Sequence, residues 1–157
     1  MDVKAEHFQN AIKVMEKEYG QDVAIALATS ANDVASVRMV DGCFLDGAFY
    51  VTCGAMSNKM KQINQNPQVG ICKDMFQAKG LAKNLGNPKL KENAQIREVL
   101  KKVFFKFWDQ YVCEDNPNSI ILKIQLTKAI VYDNKKSTFW TLRRRSSKDS
   151  IRIFDRI

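Results

Sequence analysis

Asp46 and Gly47 stand between two apolar runs, and this pair constrains the chain more than any other feature. Both central residues of a tight type I′ turn need positive φ, so Asp-Gly in that setting predicts a β-hairpin. Residues 35–45 then form one strand, with Gly42 marking a bulge or a close approach by another group. Residues 48–53 form the strand that returns. Ser57 follows as a good N-cap for a short basic helix over 57–66, which Pro67 stops. The outgoing strand thus carries one arginine, Arg38, and the helix opens on Ser57, Asn58 and Lys59.

These groups suit an anion. Helix N-termini present unpaired N–H groups and a positive dipole end. The Ser57 hydroxyl can donate to a ligand, Lys59 adds a mobile charge, and Arg38 offers a planar fork matched to two phosphate oxygens. Read singly, Arg38 is an ordinary strand residue and Ser57 an ordinary cap. Their closeness across a predicted hairpin favours convergence on one phosphate.

The rest of the chain reads as short elements around that unit. Residues 4–19 form an amphipathic helix with Phe8, Ile12, Met15 and Tyr19 on one stripe, ended by Gly20. Residues 23–31 are a short apolar run, read as a buried strand although its alanines leave a helix open, and Asn32 and Asp33 make a turn. In the short helix, Met60 and Ile63 pack inward while Lys59, Lys61 and Gln62 reach outward. Residues 69–75 and 76–85 are two further strands, the second containing Gly80. Asn87 and Pro88 look like the N-cap and first residue of one long helix reaching to about Val112. Ile96, Leu100, Val103, Phe104, Phe107, Trp108 and Tyr111 recur along it at helical spacing, as a packing face rather than a platform for stacking bases. A loop at 115–118, an alternating strand at 120–132, a turn at 133–136 and a last strand at 138–142 complete the pattern.

Short strands in consecutive hairpins with inserted helices predict a mainly β, α+β fold built on an antiparallel barrel. With 157 residues and no internal repeat or linker, residues 1–142 read as one domain, followed by 143–157 as a basic tail or a final strand. That segment holds six cations and two carboxylates, half of the net charge of +8. Four scattered cysteines with no C-x-x-C pair and no leader-like start favour reduced thiols in a cytoplasmic protein. No apolar run approaches the ~18 residues that cross a bilayer. A single histidine, His7, argues against a histidine-based metal site or a Ser-His triad, and no metal is expected.

The residues also resemble a known family. Val37-Arg38-Met39-Val40 ahead of the Asp-Gly turn, then Tyr50-Val51-Thr52-Cys53, then the run from Ser57 to Pro67, are similar to the FMN-binding split-barrel proteins related to pyridoxamine 5′-phosphate oxidase. The similarity covers roughly residues 22–88. It implies an antiparallel split β-barrel with an N-terminal helix, a short phosphate-site helix and one long helix, forming a homodimer with flavin at the subunit interface. It further implies that Arg38, Ser57 and Lys59 hold the phosphate of FMN, with Asn58 beside them. Met39, Val40, Thr52 and Cys53 would line the isoalloxazine. The activity implied is an FMN-dependent oxidoreductase passing electrons between a reduced nicotinamide and a small acceptor. Some positions depart from the pattern: Asn58 stands where relatives often have arginine, Cys43 where the oxidases have lysine, and Met75 where they have glutamine. The phosphate cradle is retained and the substrate site is not, so a flavin or small-molecule reductase is expected rather than a true pyridoxamine phosphate oxidase.

Two other classes fit some of the same residues. One is a flavin-binding or redox-responsive protein without turnover. The other is a basic nucleic-acid-binding module, motivated by the run from Arg143 to Arg145. Terminal charge runs are more often solvated tails, and the basic residues are not interleaved with aromatics as a single-strand binder requires, so the sequence argues against nucleic acid as partner.

Overall fold

The computed structural model of the chain describes residues 3–133, 138–143 and 152–156, with side chains over 6–132. Eight antiparallel strands form one sheet, β1 (Val23–Ala31), β2 (Val34–Leu45), β3 (Ala48–Gly54), β4 (Gln68–Lys73), β5 (Phe76–Asn84), β6 (Ser119–Asp133), β7 (Thr138–Arg143) and β8 (Arg152–Arg156). Their order is β3-β2-β1-β4-β5-β6-β7-β8, and β3 also pairs with β6. That extra pairing, Ala48 opposite Gln125 through Gly54 opposite Ser119, closes the first six strands into a barrel. The predicted turn at 133–136 lies mostly outside the described residues.

Turn chemistry sets the hairpins. Asp46 and Gly47 both take positive φ, as the sequence requires, and Asn32 and Asp33 do the same between β1 and β2. Asp74, also at positive φ, turns β4 into β5. β4 therefore stops at Lys73 rather than continuing to 75. Gly42 sits in an unbroken β1–β2 register, so it marks no bulge there. It marks a close approach, since a Cβ would meet Ile25 at 3.0 Å. The bulge falls instead at Lys79 and Gly80 opposite β6.

Side-chain alternation gives the barrel its interior. Ile25, Leu27, Phe44, Phe49, Leu122 and Ile124 point inward, and Met15 of α1 (Val3–Tyr19) closes over them. α2 (Asn58–Gln65) adds Met60 and Ile63 to the same core, as its pattern predicts. β3 is buried on both faces, and this explains its unbroken apolar run. Phe49 and Val51 face the barrel, while Ala48 and Tyr50 face a second cluster with Leu100, Phe104 and Trp108.

The single long helix predicted over 87–112 is not formed. A 3-10 turn (Lys91–Asn93) leads into α3 (Ala94–Val103), and a separate turn of helix, α4 (Trp108–Tyr111), follows. Asn87 does not cap a helix. Its Oδ1 accepts from the Lys89 N–H, and its Nδ2 donates to the carbonyls of Glu114, Asn116 and Ser119. The break at 104–107 falls in a Val-Phe-Phe-Lys-Phe run whose β-branched and aromatic side chains lose rotamer freedom in a helix. Phe104 and Trp108 are still buried, and Phe104 stacks on Phe107 with centroids 5.1 Å apart. Most of the stripe packs, as expected, but Tyr111 is 76% exposed.

Candidate functional site

The β2–β3 hairpin, α2 and the loop after α4 enclose a cavity of about 630 Å³. Val40, Thr52, Cys53 and Lys59 line it, so four of the eight residues singled out from the sequence meet there. Asp41 and Lys59 are its charged lining residues, and Phe107, Tyr111, Cys113, Asn116 and Asn118 form the opposite wall. Volumes of 300–1,000 Å³ are usual for cofactor sites.

The other four sequence-predicted residues stand outside the lining. Met39 is 64% exposed on the outer face of β2. Asn58 is exposed in the first turn of α2. Ser57 holds the N-cap position with extended backbone, φ −65° and ψ 155°, but its hydroxyl makes no capping bond. That Oγ is buried and has no hydrogen-bond partner. Unpartnered buried hydroxyls are rare because desolvation goes uncompensated, and one at the N-terminus of a helix is placed to meet a ligand oxygen.

Arg38 leans across β1 onto α2. Its NH1 donates to the Thr29 hydroxyl at 2.6 Å and to the Leu27 carbonyl at 3.3 Å, and its NH2 donates to Gln62 Oε1 at 3.0 Å. Gln62 was expected to reach outward. It turns in instead, accepting from Thr29 at 2.6 Å and donating through Nε2 to Ser36 at 2.9 Å. Because Lys59 and Gln62 lie three residues apart on α2, one helix face presents a cation to the cavity and fixes the arginine. Every acceptor on Arg38 is neutral, and among the described residues no carboxylate pairs with it. Of five guanidinium N–H donors, three are engaged, which leaves two. That number serves a bidentate contact with an anion.

Cys53 is held as a neutral thiol. Burial raises its pKa, and the nearby Lys59 opposes the shift without reversing it. Cys43, behind the hairpin, is pushed up to about 11, first by burial and then by Asp22. Neither has the low-pKa setting of a nucleophilic cysteine.

The loop wall is held by an ion pair that sequence patterns do not reveal. Arg97 of α3 grips Glu114 with two bonds, Nε to Oε1 at 2.6 Å and NH2 to Oε2 at 2.8 Å, and this holds the Glu114 carboxyl below its ordinary value. Together with Asn87, the pair fixes the loop that carries Cys113, Asn116 and Asn118. Among the described residues no cluster of His, Cys, Asp and Glu could hold a metal ion, and no helix is long and apolar enough to cross a membrane.

Comparison with known proteins decides the architecture. No family model and no curated protein matches the sequence. Solved structures do match. The general stress protein 26 of Bacillus anthracis str. Sterne superposes with TM-score 0.62 at 21% identity, over 88% of this chain and 99% of that one. A pyridoxamine 5′-phosphate oxidase-related, FMN-binding protein of Nostoc punctiforme PCC 73102 gives TM-score 0.57 at 14% identity, over 99% and 98%. The fold is the pyridoxamine 5′-phosphate oxidase-like split barrel. HutZ, the heme storage protein of Vibrio cholerae, has the same architecture, with TM-score 0.62 at 15% identity over 78% and 93%. The split barrel therefore accounts for the closed six strands and the short helix α2, and the ligand has to be argued from this chain's own residues.

Proposed function

We propose that this split barrel binds FMN and acts as an oxidoreductase, accepting reducing equivalents from a reduced nicotinamide and passing them to a small acceptor. The observation that carries the reading is the Ser57 hydroxyl, buried and unpartnered at the N-terminus of α2. Lys59 in the cavity lining and the two spare donors of Arg38 add to it. In this reading Ser57, Lys59 and Arg38 hold the phosphate, with the exposed Asn58 beside them. Val40, Thr52 and Cys53 flank the ring system, offering strand backbone groups to its polar edge. When bound, the flavin supplies the hydride and electron chemistry. The chain's residues bind and orient it, and the neutral Cys53 thiol adds no charge beside it.

The site is completed by a second copy of the chain. Val37 and Met39 stand next to each other on the outer face of β2, each more than 60% exposed, and apolar side chains so placed are normally covered. Sedimentation of the purified protein should give a dimer. The flavin reading is tested by purifying the protein and recording its visible spectrum before and after adding FMN. A yellow protein with absorbance near 450 nm supports it, and a colourless one that takes up no added FMN removes it.

A second reading keeps the flavin without turnover, as a flavin-binding or redox-responsive protein. It is favoured by the Cys53 thiol, which burial keeps protonated, so that no thiolate stands beside the ring system. Oxidation of a reduced nicotinamide with a panel of acceptors separates the two. Heme, named for two structural neighbours, finds no histidine among the lining residues, and burial there keeps the Cys53 thiol protonated.

A further inference from the structure

Tyr111 ends the aromatic stripe, and the fold does not use its side chain. The residue is 76% exposed, and among the described residues its ring stacks on no other ring. It nevertheless lines the cavity, on the wall opposite Val40, Thr52 and Cys53. An aromatic ring left in water forfeits the stabilisation that its burial would give. Phe107 lines the same wall. The Tyr111 N–H donates to the Phe107 carbonyl at 2.9 Å, so the two residues stand one helical turn apart on the same side of α4. Phe107 is braced, since its ring stacks on that of Phe104 with an interplanar angle of 28°, and Phe104 is wholly buried. Asn87 and the Arg97–Glu114 pair hold the backbone that follows. Two aromatic residues on a fixed backbone therefore border the cavity, and such a wall matches a planar π system.

Charge narrows the occupant. Lys59 and Asp41 are the charged lining residues, and a phosphate held by Lys59 would leave Asp41 as the charge facing whatever else enters. Asp41 forms no ion pair among the described residues. Beside it stands Asp22, whose Oδ1 is buried without a partner and whose pKa is raised by burial and then by Asp41, with Lys106 opposing. An acceptor that is planar and carries no negative charge meets both conditions.

We propose that Tyr111 and Phe107 form the wall on which a neutral quinone stacks as electron acceptor, and that Asp41 disfavours anionic quinones. The inference rests on the flavin reading and names the acceptor class for the same site. The quinone takes up two electrons and two protons and leaves as the hydroquinone. The reduced nicotinamide supplies a hydride, which is two electrons and one proton, and solvent supplies the second proton. Tyr111 and Phe107 contribute stacking area and Asp41 contributes charge, so the three residues act on which acceptor binds.

The test is equilibrium dialysis of the oxidised, FMN-loaded protein at low salt, without nicotinamide, so that binding is read and not turnover. The probes are 2-(hydroxymethyl)anthraquinone and anthraquinone-2-sulfonate, which share one planar ring system, differ in charge and do not alkylate the cavity thiols. The neutral quinone should bind about 2- to 5-fold more tightly than the sulfonate, and Asp41→Asn should close that gap. Tyr111→Leu keeps an apolar side chain without a ring and should weaken the neutral quinone about 2- to 12-fold, the range of one stacked aromatic pair. Tyr111→Phe should restore binding to within about twofold. Because Tyr111 is exposed, both variants should keep the wild-type Tm and FMN affinity. Quinone binding that Tyr111→Leu leaves unchanged overturns the proposal, as does a charge preference that Asp41→Asn leaves untouched. So does a Tyr111→Leu protein that loses FMN as strongly as quinone, since the ring would then stack on the flavin itself. These results overturn the acceptor assignment alone, whereas a wild-type protein that takes up no FMN removes the flavin reading together with it.

Discussion

Replacing Ser57 by alanine gives a prediction with two opposite signs. Serine at an N-cap ordinarily stabilises a helix, and Ser→Ala there costs about 0.5–2 kcal/mol through loss of the capping bond. Here that bond is not made, and the Oγ is buried without any partner. A buried unsatisfied polar group costs about 1–3 kcal/mol, so removing it should stabilise the flavin-free protein by about 1 kcal/mol. For a chain of this length that corresponds to a rise in Tm of about 2–4 °C. The same change removes a hydroxyl donor to a phosphate, a charge-assisted bond of about 1.5–3 kcal/mol, so FMN should bind about 10- to 150-fold more weakly. Calorimetric unfolding of flavin-free protein and a flavin-fluorescence titration read the two quantities separately. A variant that unfolds at lower temperature with unchanged FMN affinity would show the hydroxyl to be a structural cap, and the phosphate would then lie elsewhere.

Other outcomes follow from the same geometry. Arg38→Ala should weaken FMN by about 2–3 kcal/mol in a calorimetric titration, the scale of a lost charge-assisted contact, and should also lower flavin-free stability because Thr29, Gln62 and Leu27 lose their shared donor. Gly80→Ala should destabilise by about 2–4 kcal/mol in denaturant unfolding, since its Cβ would sit 2.8 Å from the Gln125 carbonyl oxygen and 2.8 Å from Ile124. Alkaline pH should destabilise the fold. The folded state holds Cys43 protonated up to about 11 against an ordinary 9.0, and Tyr19 up to about 12 against 10.0, burial being the main cause for both. Above pH 9 the unfolded chain thus binds fewer protons than the folded one, and stability declines as pH rises through the folded values. Urea unfolding between pH 8 and 11 should show the decline, and a Cys43→Ala variant should show less of it.

Local chemistry was legible in the sequence wherever one turn or one helix face decided the outcome. Asp46-Gly47 and Asn32-Asp33 announce positive φ, and both hairpins form with the expected strands. Met60 and Ile63 announce the buried face of α2. The barrel was expected from the run of hairpins, but which strands close it was not legible, because the β3–β6 pairing joins residues about 70 positions apart and no local pattern encodes that register. The helix over 87–112 misled because Asn87-Pro88 is also what an Asx turn looks like. Only the loop carbonyls of Glu114, Asn116 and Ser119, unseen in a one-dimensional pattern, tell the two apart. For the same reason the far wall of the cavity, with Tyr111, Cys113 and Asn118, was missed. The position of Gln62 was partly recoverable: it shares a helix face with Lys59, and that spacing alone points it toward the site rather than to solvent.

The central claim, that the opening turn of α2 and Arg38 grip a phosphate, is tested most directly by comparing FMN with riboflavin, which differ only in that group. Titrating the wild-type protein with each should give at least about a hundredfold tighter binding of FMN, a gap of about 2.7 kcal/mol that narrows in Ser57→Ala. Equal affinity for the two flavins, or a gap that Ser57→Ala and Arg38→Ala both leave untouched, would contradict the account.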